Sequence, residues 1–340
     1  MSKFYSQLGK VGFVLPAGSL RGAFQVGALR AFEEAKIMPA YIVGVSSGSL
    51  NATAFAAGKM KRLWEVYEAM TTNQRIFYRW NSLVLFRAFF WSKSLLINRP
   101  LKNQIIKKDI GVQEVFSSGI KVDVITTDLQ TGQEVIFSNK NPLHQDPDLF
   151  TEAIAASCAI PAVFPPFMYN GHQLVDGGVI NRSPISFAIG EQCDSIFVIN
   201  TEPSLSLRTE EQFNTIISIA SRSENLINWR SAKLGLKITR EINKDLMAYD
   251  RLKESLSQII EEEIKDEAIK KELKEKINNE LKRKKLSFQN KRQVKILVIE
   301  PEKAAYVKSS GIFSSKVIPN YLEEGYNKTK KLLEKLSEQI

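Results

Sequence analysis

The sequence is poor in cysteine and histidine and has no long apolar run. Cys158 and Cys193 are the only cysteines among 340 residues, which is too few for a disulfide framework and favours reduced thiols. No segment approaches the ~18 uninterrupted apolar residues of a membrane-spanning helix. The first ten residues lack the apolar core of a signal peptide. We therefore expect a cytoplasmic protein whose contact with membranes, if any, is peripheral.

The shortage of histidine limits the choice of catalytic base. A Ser-His-Asp triad would have to use His144 or His172, because the chain has only these two. His144 lies in a polar segment bracketed by prolines, and His172 follows Asn170-Gly171 in a predicted hairpin turn. His172 also precedes Asp176 by four residues, about 13 Å of extended strand. We expect both histidines to lie in loops.

The charge balance is basic, with 47 lysines and arginines against 37 aspartates and glutamates and a net charge of +10. Such a balance suits anionic membranes and nucleic acids alike. The sequence shows neither a nucleic-acid-binding motif nor zinc-ligand spacing, so we expect a lipid surface rather than nucleic acid as the partner. The hydrophobic content of 44% is enough for a substantial core.

The segment Gly44–Gly48 reads Gly-Val-Ser-Ser-Gly and lies between an apolar run and a stretch of small residues. This is the strand-turn-helix setting in which Gly-x-Ser-x-Gly forms a nucleophile elbow. A side chain in place of Gly44 or Gly48 would collide with the neighbouring strand or helix. Ser46 is the predicted nucleophile, and an ordinary strand-to-helix connection is the alternative.

Two further turns carry candidate site residues. The first, Pro16–Gly22, follows an apolar strand and opens a helix, so its backbone N–H groups suit an anion or a developing oxyanion. It matches neither phosphate-binding glycine motif, which disfavours nucleotide binding. In the second, Asp176 ends an apolar strand and precedes Gly177 and Gly178. An ordinary turn aspartate is the alternative there.

Together these segments resemble a known family. Residues 15–23, 44–48 and 176–178 resemble the three motifs of the patatin-like phospholipases, in the family's order, and residues 126–132 and 155–166 resemble two further family segments. The resemblance covers roughly residues 10 to 200.

The resemblance implies a serine–aspartate dyad that hydrolyses acyl esters of phospholipids or lysophospholipids at a membrane surface, without a metal or cofactor. Ser46 would attack the carbonyl and Asp176 would accept its proton. The implied oxyanion hole consists of Ala17, Gly18 and Ser19. The supporting residues would be Arg21, Gly22, Gly44, Gly48, Gly177 and Gly178.

The loop departs from the family pattern, which is usually Gly-Gly-Gly-x-Arg-Gly. Ala17 and Ser19 replace two glycines, and their N–H groups stay in place only where the local φ tolerates a side chain. Two alternatives therefore stay open: a catalytically weak lipid-binding or scaffold protein, and a Ser-His-Asp esterase using His172. Arg21 could form a structural ion pair or attract a lipid phosphate.

We predict an α/β fold of three layers, with a mostly parallel central sheet flanked by helices. Strands are expected near 10–15, 40–45, 120–126, 133–138, 173–176, 195–200 and 293–299, and helices near 21–35, 47–57, 148–157 and 210–249. The predicted catalytic domain comprises residues 1–249 and 293–340, and residues 250–292 form a charged helical insertion near the C-terminus.

Two segments are predicted to seek partners. In 250–292, apolar residues recur at helical spacing among i,i+4 Glu–Lys pairs, which predicts one long amphipathic helix or a helical hairpin. Its apolar stripe would meet the main domain, a second copy in a homo-oligomer, or an anionic lipid surface. Residues 77–91 concentrate aromatic side chains and are either an interfacial lid or a helix packed on the core.

Overall fold

The computed structural model describes residues 7–72, 79–80, 93–204, 209–210, 212–283, 292–304 and 317–338. The chain divides into two compact units, Met1–Lys233 with Ile296–Ile340, and Leu234–Lys295. Almost all of the predicted lid segment 77–91 lies outside the described residues, so that prediction stays open.

The first unit is built on a mostly parallel sheet. Its strands are β1 Val11–Leu15, β2 Tyr41–Val45, β5 Lys121–Asp128, β6 Glu134–Ser138, β7 Phe167–Tyr169, β8 His172–Asp176, β9 Ser195–Ile199 and β10 Lys295–Ile299, and a separate ribbon pairs β3 Arg79–Trp80 with β4 Leu96–Ile97. The strand order is β10-β9-β1-β2-β5-β8-β7, with β6 also paired to β5. Strands β9, β1, β2 and β5 run parallel, and β6, β7 and β8 extend the sheet with antiparallel pairings. The predicted fold class is confirmed.

Helices flank this sheet, and further helices form the second unit. They are α1 Ala23–Glu34, α2 Ser47–Ala56, α3 Met60–Ala69, the π-type α4 Leu101–Ile110, α5 Gln113–Ser117, α6 Pro147–Ser157, α7 Ile185–Gly190, α8 Ile216–Glu263, α9 Glu267–Arg283 and α10 Val317–Glu338. Among the described residues, none of these helices is both long enough and apolar enough to cross a membrane.

The core forms where fully buried strands meet the amphipathic helices. Phe13 of β1 lies 4.5 Å from Phe32 of α1 and 5.8 Å from Phe197 of β9, measured between ring centroids. Helices α1 and α10 approach each other at Gly27 and Gly325, because a Cβ on either glycine would meet backbone of the other helix. The missing side chains therefore allow close helix packing.

The second unit contains a helical hairpin. Helix α8 does not end near residue 249 as predicted but continues to Glu263, and Asp266 caps the start of α9 by accepting from the N–H groups of Ala268 and Ile269. Across the turn, Glu261 forms ion pairs with Lys270 and Lys274. These ion pairs join the two helices, so of the two predicted forms the described residues have the hairpin.

Candidate active site

The predicted nucleophile lies at a sharp turn between β2 and α2. Ser46 has φ 55° and ψ −127° and is 5% exposed, a backbone conformation that costs about 1–3 kcal/mol for a residue with a side chain. A Cβ on Gly44 would meet the backbone of Gly48, and a Cβ on Gly48 would meet the carbonyl of Leu15. The two glycines therefore let the turn lie directly against the end of β1.

Backbone contacts hold Ser46 in this conformation. Its N–H donates to Oγ of Ser157 at 3.0 Å. Its carbonyl accepts from the N–H of Ser49 at 2.9 Å, from Ser49 Oγ at 2.6 Å and from Cys158 Sγ at 3.2 Å. Ser157 Oγ in turn donates to the carbonyl of Ile125 in β5 at 2.7 Å.

The sheet register brings Asp176 to the level of Ser46. Val45 is paired with Ile125 between β2 and β5, and Thr126, the next residue, is paired with Asp176 of β8. The backbones of Ser46 and Asp176 are therefore separated by two strand spacings, about 10 Å. The two side chains can cover most of this distance if they point toward each other.

Asp176 is itself held at the end of β8. It is 6% exposed, its N–H donates to the carbonyl of Ala159 at 3.0 Å, and its Oδ1 accepts from the N–H of Gly178 at 2.7 Å. A Cβ on Gly177 would meet the carbonyl of Ile125. The Asp-Gly-Gly sequence thus permits a tight turn against β5 and leaves a carboxylate at the sheet edge.

The predicted oxyanion loop adjoins both of these turns. A Cβ on Gly178 would lie 3.2 Å from Cβ of Ala17, and a Cβ on Gly22 would lie 2.8 Å from Oγ of Ser47. The loop, the elbow and the aspartate turn therefore meet at the carboxyl edge of the parallel strands, where open α/β sheets place their sites.

The two residues that replace glycines in this loop differ. Ser19 has φ 51°, in the left-handed region that favours glycine, and Ala17 is not among the described residues with positive φ. The N–H of Ala17 donates to the carbonyl of Arg182 at 3.1 Å, and its carbonyl accepts from Thr201 Oγ1 at 3.1 Å. Within the described chain, the N–H groups of Gly18 and Ser19 have no recorded acceptor.

Arg21, a residue of the same loop, forms a buried ion pair. Its Nε is 3.2 Å from Oε1 of Glu202, and the two side chains are 2% and 7% exposed. Of the two roles considered for Arg21, this contact corresponds to the structural ion pair. Glu202 follows β9 and was not predicted from the sequence.

The histidines lie elsewhere. His172 is the first residue of β8 rather than a loop residue. Its side chain is 43% exposed, and its Nδ1 lies 2.8 Å from Oδ2 of Asp128. Burial acts to raise the pKa of Asp128, but hydrogen bonds from Gln130 and Thr131 lower it overall. His172 and Asp176 occupy opposite ends of the five-residue strand β8, about 13 Å apart. The structure therefore does not bring them together.

His144 belongs to a short turn, where its Nδ1 accepts from the N–H of Ser138 at 3.2 Å. Burial lowers its pKa, so the ring favours the neutral form. This hydrogen bond gives His144 a structural role in the turn after β6.

Cys158 contacts the backbone of the predicted nucleophile, Ser46, as a neutral thiol. Burial raises the pKa of its thiol, and the nearby charge of Asp176 adds to the effect. Cys158 is half-buried and Cys193 is buried, and neither forms a disulfide bond. The thiol of Cys158 thus acts as a hydrogen-bond donor to Ser46 rather than as a thiolate.

The structure brings the three predicted motif turns to one edge and adds Ser157 and Glu202, which sequence reasoning missed. Ser157 lies in the family-like segment 155–166, and that segment was the available signal, although it gave the serine no role. Among the described residues, no group of three or more His, Cys, Asp or Glu side chains could hold a metal ion.

Comparison with known proteins finds relatives among lipid hydrolases and NTE family proteins. An uncharacterized NTE family protein of Mycobacterium tuberculosis is 25% identical over 195 residues, covering 57% of this chain and 50% of that protein. A lysophospholipase of Aspergillus terreus is 25% identical over 205 residues, covering 56% of this chain and 12% of that protein. A probable lipid hydrolase of Invertebrate iridescent virus 6 is 27% identical over 199 residues, covering 55% and 64%.

The chain thus spans about half the length of the mycobacterial relative and a smaller part of the fungal one. The family model described as patatin-like phospholipase matches residues 13–189, more than half of the chain and all of the turns described above. The chain therefore belongs to the patatin-like phospholipase family.

Proposed function

We propose that the protein is a serine acyl hydrolase in which Ser46 and Asp176 form a catalytic dyad. The observation that carries the proposal is the register of the sheet, which sets Asp176 level with Ser46 across Thr126. The strained, nearly buried backbone of Ser46 supports it, because such strain clusters at functional sites.

In the proposed reaction, Asp176 takes the proton from Ser46 Oγ as that oxygen attacks the acyl carbonyl carbon. The tetrahedral intermediate then collapses, the C–O bond to the leaving alcohol breaks, and Asp176 returns the proton to that alcohol. Water then attacks the acyl carbon while the same carboxylate takes its proton, the bond between that carbon and Ser46 Oγ breaks, and Asp176 returns the proton to Ser46 Oγ. Each step needs one proton acceptor close to Ser46, so an imidazole is unnecessary if the carboxylate is near enough.

The developing oxyanion would be stabilised by the loop before α1. We assign this role to the N–H groups of Gly18 and Ser19, since the N–H of Ala17 is engaged by Arg182. One such donor is typically worth about 3 kcal/mol in the transition state. Because an aspartate is a weak base, this stabilisation would carry much of the rate.

The proposed substrates are acyl esters of phospholipids or lysophospholipids. Relatives named lysophospholipase and probable lipid hydrolase support this class. The basic net charge of +10 agrees with a negatively charged substrate surface.

We propose that the exposed apolar face of α8 provides contact with that surface. Leu234, Ile238, Leu252 and Ile259 lie on one side of the helix, because their spacings of 4, 14 and 7 residues are close to whole turns, and each is more than half exposed. Between Arg230 and Lys244 the helix carries five lysines and arginines against one glutamate, and this local excess of positive charge favours anionic headgroups.

Hydrolysis of a short-chain p-nitrophenyl ester tests the dyad. Ser46→Ala and Asp176→Asn should each reduce turnover at least about a thousandfold and remain folded, and Ser46→Ala should also abolish fluorophosphonate labelling. The exposed-site control Asp148→Asn should keep full activity. Loss of activity in His172→Ala but not in Asp176→Asn would favour the triad esterase, and absence of turnover and labelling in the wild type would favour the scaffold.

Vesicle sedimentation tests the α8 face. The double variant Ile238→Glu, Leu252→Glu should lose binding to phosphatidylcholine–phosphatidylglycerol vesicles and keep hydrolysis of the soluble ester. The matched control replaces exposed Lys276 and Glu272, which pair on α9, with glutamines. If the double variant instead changes the molecular mass in sedimentation and leaves vesicle binding intact, the face joins copies of the chain in a homo-oligomer.

A further inference from the structure

The backbone N–H of Ser46 needs a hydrogen-bond acceptor from another part of the chain. Its left-handed conformation is disfavoured for a residue with a side chain, and at 5% exposure its N–H is shielded from solvent. A buried N–H must find an acceptor. As the residue before α2, Ser46 finds no acceptor for this N–H within the helix.

Three consecutive residues at the end of α6 contact both members of the proposed dyad. Ser157 accepts from the N–H of Ser46, and Cys158 donates to its carbonyl. The carbonyl of Ala159 accepts from the N–H of Asp176. We name this segment, residues 157–159, the brace.

Ser157 connects the brace to the sheet. Its hydroxyl accepts from Ser46 at 3.0 Å and donates to Ile125 at 2.7 Å, and its side chain is fully buried. Ile125 precedes Thr126, the residue paired with Asp176. One hydroxyl therefore ties the backbone of the nucleophile to the strand that also fixes the aspartate.

We propose that Ser157 is a positioning residue that sets the separation between Ser46 and Asp176, a role that rests on the function proposed above. The serine hydroxyl both donates and accepts hydrogen bonds, whereas the methyl side chain of alanine does neither. Loss of this link would let the Ser46 backbone relax and move Oγ away from the carboxylate. Rates of oriented reactions are sensitive to such shifts, with about a hundredfold loss for a misplacement of 1 Å.

A purely structural role for Ser157 would give a different result. Satisfying a buried N–H contributes to stability, and its loss would lower the melting temperature without a specific effect on the chemical step. Thr53 supplies the matched control, because it is a fully buried hydroxyl of α2 that donates to the carbonyl of Ser49 at 2.7 Å without touching Ser46.

The experiment compares Ser157→Ala with Thr53→Val in the full chain. We expect Ser157→Ala to lower kcat for the soluble ester by about 10- to 100-fold with KM within about twofold. Hydrogen exchange at the Ser46 amide should also become faster. Thr53→Val should leave both close to wild type. Equal kcat values in the two folded variants would overturn the proposal.

A second variant and a second measurement cover the cases in which Ser157→Ala does not fold or the wild type is inactive. If Ser157→Ala does not fold, Ser157→Cys, which keeps a weaker donor and acceptor of similar size, should show an intermediate kcat, and a wild-type kcat would contradict the proposal. If the wild type shows no Ser46-dependent turnover, the proposed function fails. Amide exchange at Ser46 then tests the brace alone, and unchanged exchange in Ser157→Ala excludes it.

Discussion

Both ends of the parallel sheet contain buried ionisable groups, but within the described residues a buried residue with positive φ occurs at only one of these ends. At the carboxyl edge, Arg21 pairs with Glu202, and Ser46 has a positive φ directly after a strand. At the amino edge, the hydroxyl of Tyr41 donates to Oδ2 of Asp123 at 2.8 Å, and neither residue has a positive φ.

Positive φ values also occur near the amino edge, where they have an ordinary cause. Lys36 and Gln192 are exposed residues that follow helices α1 and α7, and a left-handed residue is common just past a helix end. Ser46 instead is buried and follows a strand. Buried ionisable groups are therefore common to both edges, whereas a buried, strained residue at a strand end belongs to the carboxyl edge, where we propose the active site.

The largest expected effect on stability comes from the ion pair at the carboxyl edge. Arg21→Met would leave the buried carboxylate of Glu202 without its guanidinium, and removing one partner of a buried pair costs about 3–5 kcal/mol. Urea denaturation measures this change. The exposed pair of Lys107 and Asp148 gives the control, since Lys107→Met should change the free energy of unfolding far less than Arg21→Met. Equal losses would mean that the Arg21 pair behaves as a surface contact.

The next effect concerns the close approach at the elbow. In Gly48→Ala, the new methyl group would meet the carbonyl of Leu15, which predicts a loss of about 1–3 kcal/mol. Ester turnover should fall with it, because the elbow must move away from β1. Gly190→Ala is the matched control, since a Cβ there meets no atom within 4 Å. Wild-type turnover in a folded Gly48→Ala variant would contradict the described packing.

These contrasts show which parts of the molecule the sequence could predict. The strands carry a local signal as apolar runs, and the elbow and the Asp176 turn carry one as glycines at the ends of such runs. Helix α10 also carries a local signal, since four of its residues are buried at helical spacing: Ile318, Tyr321, Leu322 and Gly325. This helix was nevertheless not predicted from the sequence. Its signal is ordinary amphipathic periodicity.

Other parts carry no local signal. Glu202 lies 181 positions from Arg21 in the chain, and Ser157 lies 111 positions from Ser46. Their partners are fixed by the tertiary fold rather than by spacing. Strand β7, which pairs with β8 at the edge of the described sheet, has three residues, and such a segment is too short to show an alternating pattern. Long-range contacts of single side chains are thus what sequence reasoning could not supply.

At the amino edge, Asp123 should make the stability of the protein depend on pH without affecting ester turnover. Burial raises the pKa of Asp123, although hydrogen bonds from Ser138 and Tyr41 and the charge of Lys121 oppose the shift. A carboxyl whose folded pKa is raised favours folding fully below its ordinary pKa, and this contribution is lost as the pH rises through the folded pKa. The charged form of Asp123 should therefore lower the stability of the wild type at neutral pH.

Asp123→Asn removes this charge. We expect it to raise the free energy of unfolding at pH 7, with the gain shrinking as the pH falls toward about 4. Ester turnover should not change, because Asp123 is paired with Val43, three residues before Ser46. Urea titrations across this pH range measure the slope, and the exposed control Asp148→Asn should show no comparable gain at pH 7. A gain that grows toward low pH would reverse the assignment.

The smallest effect tests the strain in the oxyanion loop itself. Ser19 has φ 51°, so Ser19→Gly should relieve strain of about 1 kcal/mol, partly offset by the greater freedom of glycine in the unfolded chain. We expect a melting temperature equal to or slightly above wild type and unchanged or faster ester turnover, since the N–H group remains. Ala17→Gly is the control: Ala17 has no positive φ to relieve, so this change should lower the melting temperature. If both substitutions lower it equally, Ser19 is not strained, and the contrast between the two sheet edges would rest on Ser46 alone.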